Sequence, residues 1–126
     1  MNKQIINTTD APTPIGPYSQ AVRAAGLLFI SGQVAIKPGT SDLVTGSIQE
    51  ETEMVMQNLK AILDTANLGF ANVIKTTIFL KDMDLFAPVN EVYGKFFESD
   101  FPARETVAVK GLPKNVNVEI SMIASE

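Results

Sequence analysis

The chain has 126 residues, about the length of one ordinary domain, and 45% of them are hydrophobic against 19% charged, enough to bury a normal core. Ten Lys and Arg stand against 14 Asp and Glu, a formal charge of -4, so there is no surplus of cations to displace counterions from a nucleic acid. His and Cys are both absent, which excludes a disulfide, a thiolate nucleophile, an imidazole base, a Ser-His-Asp triad and a Cys/His zinc site, and leaves only oxygen ligands for any metal.

In chain order, Met1 to Asp10 lacks the basic segment and apolar run of a secretory signal, and no later stretch reaches the ~18 apolar residues of a membrane span. The expected location is therefore the cytoplasm, with one domain over residues 1–126. Pro12, Pro14, Gly16 and Pro17 then impose an extended, kinked lead-in. Gln20 to Ala24 and Leu27 to Ser31 flank Ala25-Gly26 and predict a β-hairpin. Lys37 to Gly46 has the composition of a surface loop.

Ser47 and Glu50 fit a capping box at the start of a helix, and Glu50, Glu51 and Glu53 suit the positive end of its dipole. Val55, Leu59, Ile62 and Ala66 recur on one helical face, and Gly69 is expected to cap the end. Val73 to Leu80, rich in β-branched residues, predicts a central strand. A second helical face follows in Leu85, Phe86, Val89, Val92, Tyr93, Phe96 and Phe97, with Pro88 in the first turn and Asp100-Phe101-Pro102 ending it. Arg104 to Lys110 and Val116 to Ile123, joined by Gly111 to Asn115, read as a closing hairpin.

The order β-β-α-β-α-β-β describes an α+β fold, a single mixed sheet of about five or six strands with two helices on one face. Ile74, Ile78, Leu80, Val107, Val109, Val118, Ile120 and Met122 offer more apolar surface than two helices cover, which points to oligomerisation.

Strand alternation puts Asn117, Glu119 and Ser121 on one face of the last strand, and Arg104, Thr106 and Ala108 on one face of the strand before it. In the predicted hairpin Glu119 lies opposite Val107, about 10 Å along the strand from Arg104. Taken alone, the residues favour an ion pair on a solvated face. The alternative is a small-molecule site, either in the gap between the two or with each facing a different copy of the chain. Arg104 supplies a planar fork for a carboxylate, and a partly buried Glu119 can move a proton. Tyr18, on a rigid proline-flanked segment, reads either as a pocket wall or as an ordinary aromatic at the core edge. Ser31, Gly32 and Gln33 end a strand where backbone amides can approach an anion. Phe86, Asn90 and Tyr93 either line a pocket or belong to the core stripe of their helix.

Ile15-Gly16-Pro17-Tyr18-Ser19-Gln20-Ala21, Ser31-Gly32-Gln33, Asn58-Leu59-Lys60-Ala61-Ile62-Leu63, Pro102-Ala103-Arg104 and Val118-Glu119-Ile120, in this order, closely resemble the RidA family, also called YjgF/YER057c/UK114. The resemblance implies a chorismate-mutase-like subunit, a homotrimer, and clefts between subunits that bind small carboxylates. It further implies cofactor-free and metal-free hydrolysis of reactive 2-enamine and 2-imino acids, such as 2-aminoacrylate, 2-iminopropanoate and 2-iminobutanoate, to 2-keto acids and ammonia. Arg104 is similar to the substrate-carboxylate clamp, Glu119 to the residue that activates water or handles ammonia, and Tyr18 to the pocket tyrosine. Ser31 and Gly32 resemble the segment beside the ligand, Thr106 falls where many members carry Cys, and Phe86 and Asn90 match positions near the pocket.

The chain departs from the family pattern at Glu105, which either pairs with Lys110 or competes for Arg104, and at Thr106, which removes a thiol. The alternative function is a non-catalytic trimer that binds metabolites or partners as a regulator or chaperone-like protein. A chorismate-mutase-type enzyme shares the fold class but has little beyond one Arg and one Glu in its favour.

Overall fold

The computed structural model describes residues 2–126. Strands β1 (Gln4–Ile6), β2 (Ala21–Ala24) and β3 (Leu27–Gln33) precede helix α1 (Ile48–Thr65). Strand β4 (Val73–Leu80), helix α2 (Phe86–Gly94), β5 (Ala103–Ala108) and β6 (Val118–Ser125) follow. One six-stranded sheet runs β1-β2-β3-β6-β4-β5, antiparallel except for the parallel pair β4 and β5. This is the expected α+β class, with β1 as an added edge strand too short to show a pattern of its own.

The first hairpin forms as expected. Ala25 and Gly26 both take left-handed φ (55° and 76°), the backbone of a tight turn whose twist matches the strands it joins. Strand β3 outlasts its prediction and runs through Ser31-Gly32 to Gln33 by way of a bulge.

Ser47 caps α1 by accepting from the Glu50 N–H at 3.1 Å. The far end of the helix differs from expectation. It stops at Thr65, Asn67 takes the left-handed turn (φ 62°), and the Leu68 N–H donates to the Leu63 carbonyl. Asn tolerates that conformation, so Gly69 is free to begin the short 3-10 turn Phe70–Asn72. Helix α2 is likewise shorter than its apolar stripe. Past Gly94 the backbone tightens into bonds from Phe96 to Tyr93 and Phe97 to Gly94, and both phenyl rings pack edge-on to Phe70.

The largest correction concerns the closing hairpin, which does not exist. Strand β5 pairs only with β4, in parallel, after a crossover through α2, and β6 inserts between β3 and β4. The Gly111 to Asn115 link therefore passes across the end of β4. Local alternation in two nearby strands carries no information about a third strand between them.

Ile78, Leu80, Val118, Ile120 and Met122 point to the helices and join Val55, Leu59, Ile62, Val89 and Tyr93 in one buried core. Each large aliphatic side chain buried there contributes about 1.5–3 kcal/mol of transfer free energy. Of the strand residues expected to exceed helix cover, these five are covered, whereas Ile74 and Val107 stay exposed. Apolar character on the open face comes instead from Ile5, Phe29 and Val107.

Candidate functional site

Alternation in β6 holds as predicted for Glu119 and Ser121, which lie on the open face between buried neighbours, whereas Asn117 precedes the strand and its side-chain amide reaches Glu51 of α1. Phe79 of β4 pairs with Glu119 on one side and Val107 on the other, so these three form a row across the sheet. Arg104 pairs with Thr76, a buried residue of the helix side. Arg104 and Glu119 thus lie on opposite faces of one sheet, separated by roughly 10 Å along the strands and roughly 10 Å across them. They form neither the ion pair nor a shared gap within one chain.

On the open side, Glu119, Tyr18, Ile15, Ser31, Gly32 and Pro113 line a hollow of about 370 Å³. Its floor is the bulge, where Ser31 and Gly32 together oppose Ser121 of β6. The bulge is held by the Ser31 N–H donating to the Gln20 carbonyl at 2.9 Å and the Ser31 hydroxyl to the Ser19 carbonyl at 2.6 Å. Burial pushes the Glu119 carboxyl above the usual carboxylate range, since a half-buried charge loses water it cannot replace. Tyr18 forms a half-exposed wall. Its ring folds back over Gly16, and its phenol oxygen accepts from the Ile15 N–H at 3.5 Å.

The lead-in carrying Tyr18 is fastened by Gln20, which strand-forming tendency alone did not single out. Its amide accepts from the Thr8 N–H at 2.7 Å and donates to the carbonyls of Thr8, Ala11 and Pro12. Lys114 stands beside the same cleft. Lys114 and Asn115 are successive left-handed residues (φ 55° and 56°), a backbone that Asn tolerates but that costs Lys114 roughly 1–2 kcal/mol.

On the helix side, Arg104 sits among Asn90, Tyr93, Gly94, Phe101 and Pro102 in a hollow of about 460 Å³. Its guanidinium carbon lies 5.2 Å from the Tyr93 ring centroid and 5.6 Å from that of Phe86, and Nη1 donates to Asn90 Oδ1 at 2.6 Å. Two aromatic faces and one amide hold the fork flat, and among the described residues no carboxylate lies within ion-pair distance of it. Tyr93 donates to Thr76 Oγ1, and burial raises its phenol above the ordinary value despite the lowering influence of that bond and of Arg104.

Glu105 does not compete for the fork. It points to the open face and pairs with Lys75 at 3.1 Å, not with Lys110. Thr106 shares the helix face with Arg104, but its hydroxyl is buried without a partner, and the residue does not line the Arg104 hollow. Among the described residues no group of three acidic side chains could hold a metal ion, and no helix is long and apolar enough to cross a membrane.

Two buried polar residues were missed although the helical period exposes them. Glu51 and Asn58 fall on the stripe of Val55, Leu59 and Ile62, and both are fully buried. A place at the positive end of the helix dipole does not account for the burial of Glu51. Instead its carboxylate accepts from the Asn117 N–H and side-chain amide, each at 2.7 Å, and from the Val118 N–H at 3.3 Å.

These features define a class: an α+β chain with one mixed six-stranded sheet, two helices on one side, and a hollow on each face, one beside Arg104 and one beside Glu119. The family model described as endoribonuclease L-PSP matches residues 8–126, and the chain belongs to this family, the RidA/YjgF family. A RutC family protein of Pyrococcus horikoshii is 50% identical over 122 residues, covering 97% of each chain. The 2-iminobutanoate/2-iminopropanoate deaminase of Mus musculus is 45% identical, covering 97% of this chain and 90% of its own length. The crystal structure of E. coli TdcF with bound serine has a TM-score of 0.93 at 39% identity, covering 98% of this chain and 99% of that one.

Proposed function

We propose that residues 1–126 act as one cofactor-free domain that hydrolyses small 2-imino acids and their enamine tautomers to 2-keto acids and ammonia, in the cytoplasm and as a homotrimer. The observation that carries this reading is the split of complementary groups: a flat, uncompensated Arg104 fork on one face and a desolvated Glu119 carboxyl on the other. Neither hollow alone can hold an imino acid by both ends. A cleft at the seam between neighbouring copies, where the edge strand β5 of one meets the open face of the next, brings Arg104 of one copy to Glu119 of the other.

In that cleft Arg104 takes the substrate carboxylate in a bidentate bond. The ionised Glu119 accepts a proton from water as the water oxygen attacks the imine carbon, giving a carbinolamine. The carboxyl returns that proton to nitrogen, then takes the carbinolamine hydroxyl proton and hands it to nitrogen as the C–N bond breaks, so that the ketone forms, ammonia leaves with both water protons and the carboxylate is restored. Tyr18 closes one wall, and the bulge at Ser31 and Gly32 leaves room for the carboxyl. Phe86 and Asn90 orient the fork, while Thr106 contributes backbone at the sheet edge. The Mus musculus deaminase and the serine-bound E. coli TdcF support a small amino-acid-derived ligand. An RNA substrate suits the chain less well, given a net charge of -4 and no histidine to take the proton from a ribose 2′-hydroxyl.

The test generates 2-aminoacrylate or 2-iminobutanoate in situ with an amino-acid dehydratase and follows keto-acid formation. Acceleration by the protein, lost in folded Arg104→Ala and Glu119→Ala, is expected. Full activity in either variant removes its assigned role, and no acceleration for any small imine would leave a non-catalytic metabolite-binding trimer.

A further inference from the structure

We propose that Glu51 is a positioning residue for the Glu119 cleft: from the first turn of α1, its buried carboxylate clamps the start of β6 and thereby fixes where Glu119 presents its carboxyl. The kinetic consequence rests on the imine-hydrolysis reading, whereas the structural consequence does not.

A carboxylate at a helix N-terminus gains from the dipole while remaining in water, so the dipole does not require Glu51 to be buried. Yet Glu51 is 0% exposed, and among the described residues no cation lies within ion-pair distance. Its three accepted bonds fall on a single short stretch, Asn117 and Val118. Desolvating a charge for a clamp of that kind makes sense where the clamped segment would otherwise relax.

That segment has reason to relax. It follows the left-handed pair Lys114 and Asn115, whose conformation persists only if the surroundings hold it. Pro113 and Lys114 line the cleft, and Asn117 and Val118, the two residues whose N–H groups Glu51 holds, lead directly into Glu119 at the start of β6. A strand is nearly inextensible, so displacement at Asn117 is passed to Glu119. On the other flank, Asn58 of α1 donates to the carbonyls of Val34 and Ile36 at 3.2 and 3.0 Å, just after the Ser31-Gly32 bulge. Helix α1 therefore grips both strand segments between which the carboxyl lies. The titratable groups lining the cleft beside Glu119 are Tyr18 and Lys114.

Three variants separate clamping from charge and from simple packing. In Glu51→Gln, Oε1 can accept from both backbone N–H groups, and Nε2 can donate to Asn117 once that amide turns over. Glu51→Ala removes every bond, and Asn117→Ala removes only the side-chain one. The readouts are the titration midpoint of Glu119, by carbon NMR of labelled glutamate assigned through Glu119→Gln, and kcat and KM for imine hydrolysis against pH.

In folded Glu51→Ala, the Glu119 midpoint is expected to fall toward the ordinary carboxylate range as water enters. The acidic limb of the kcat profile should move with it, and kcat should drop roughly tenfold or more with little change in KM, the scale set by misplacing a catalytic group by a fraction of an ångström. Glu51→Gln should restore all three. A folded Glu51→Ala with the parent midpoint and profile overturns the proposal, as does Glu51→Gln behaving like Glu51→Ala. If Glu51→Ala does not fold, Asn117→Ala decides: a midpoint displaced in the same direction supports the clamp, and an unmoved one overturns it. Should the parent protein turn over no imine, the functional reading fails while the NMR midpoints still decide the role of Glu51.

Discussion

A Cβ built on Gly32 would stand 2.2 Å from Glu119 Oε2 and 2.9 Å from its Cδ, so the bare glycine and the carboxyl share one space. Gly32 is not among the positive-φ residues, so its backbone accepts alanine without strain. The far end of Glu119 must move instead. Gly32→Ala is therefore expected to fold with a thermal midpoint close to that of the parent and to lose about 10²-fold in imine hydrolysis, the scale of a displaced general acid-base group. Parallel melting curves and keto-acid assays check this. Retained activity would mean that Glu119 works from another rotamer.

Since Arg104 and Glu119 face opposite sides of one sheet, a cleft that uses both must draw them from two chains. Arg104→Ala and Glu119→Ala, each inactive alone, should then complement when unfolded and refolded together. Random mixing in a ring of identical contacts leaves about a quarter of the sites with both groups intact. Recovery near that fraction is expected. Mixed oligomers that remain inactive, with exchange verified by tagged subunits, would require both groups to act within one chain.

The raised Glu119 carboxyl has a definite sign for stability. Its folded form binds protons more tightly than its unfolded form, so stability falls as pH rises from the ordinary carboxylate value through the raised one and is then level. Glu119→Gln should abolish that fall. Denaturant unfolding at a series of pH values is expected to show the variant gaining on the parent across this window and holding a constant lead above it. The same group predicts an activity profile whose acidic limb lies above the usual glutamate value, because the ionised carboxyl is the base. A stability difference that grows as pH falls would contradict the assignment.

Much of this was legible from periodicity. The Ser47 cap, the buried face of α1, the Ala25-Gly26 turn and the open-face position of Glu119 each follow from local rules that the structure obeys. What failed was non-local. Placing β4 between β5 and β6 depends on the crossover through α2, which strand alternation cannot reveal, and it sets a whole strand between Arg104 and Glu119, while the shared row of Glu119 and Val107 leaves Arg104 on the other face in either arrangement. Glu51 and Asn58 represent a different kind of miss. Their helical spacing marked them as buried, but an acid near a helix N-terminus already has a local explanation, and the bonds to Asn117 and Val118 appear only once β6 is in place. Glu105 shows the converse, since alternation sent it to the face away from Arg104 and its partner Lys75 lies on the adjacent strand.

Gln20 offers a test of how far the lead-in governs the cleft. It is 2% exposed, and its amide serves as backbone partner to Thr8, Ala11 and Pro12, none of which belongs to a strand or helix. Gln20→Leu keeps the side chain's bulk and leaves those groups without a partner, a loss of about 1–3 kcal/mol. The thermal midpoint should fall accordingly. The Thr8 amide should lose hydrogen-exchange protection well before the amides of β3 and β6. Tyr18, carried by the loosened segment, should then close the cleft less well, so that KM for the imine rises while the Glu119 limb of the pH profile stays in place. That pattern is opposite to the one expected for Glu51→Ala, because Gln20 holds the wall and Glu51 holds the strand that bears the acid. Gln20→Leu shifting the pH profile and sparing KM would mean that the lead-in, not the strand, sets the environment of Glu119.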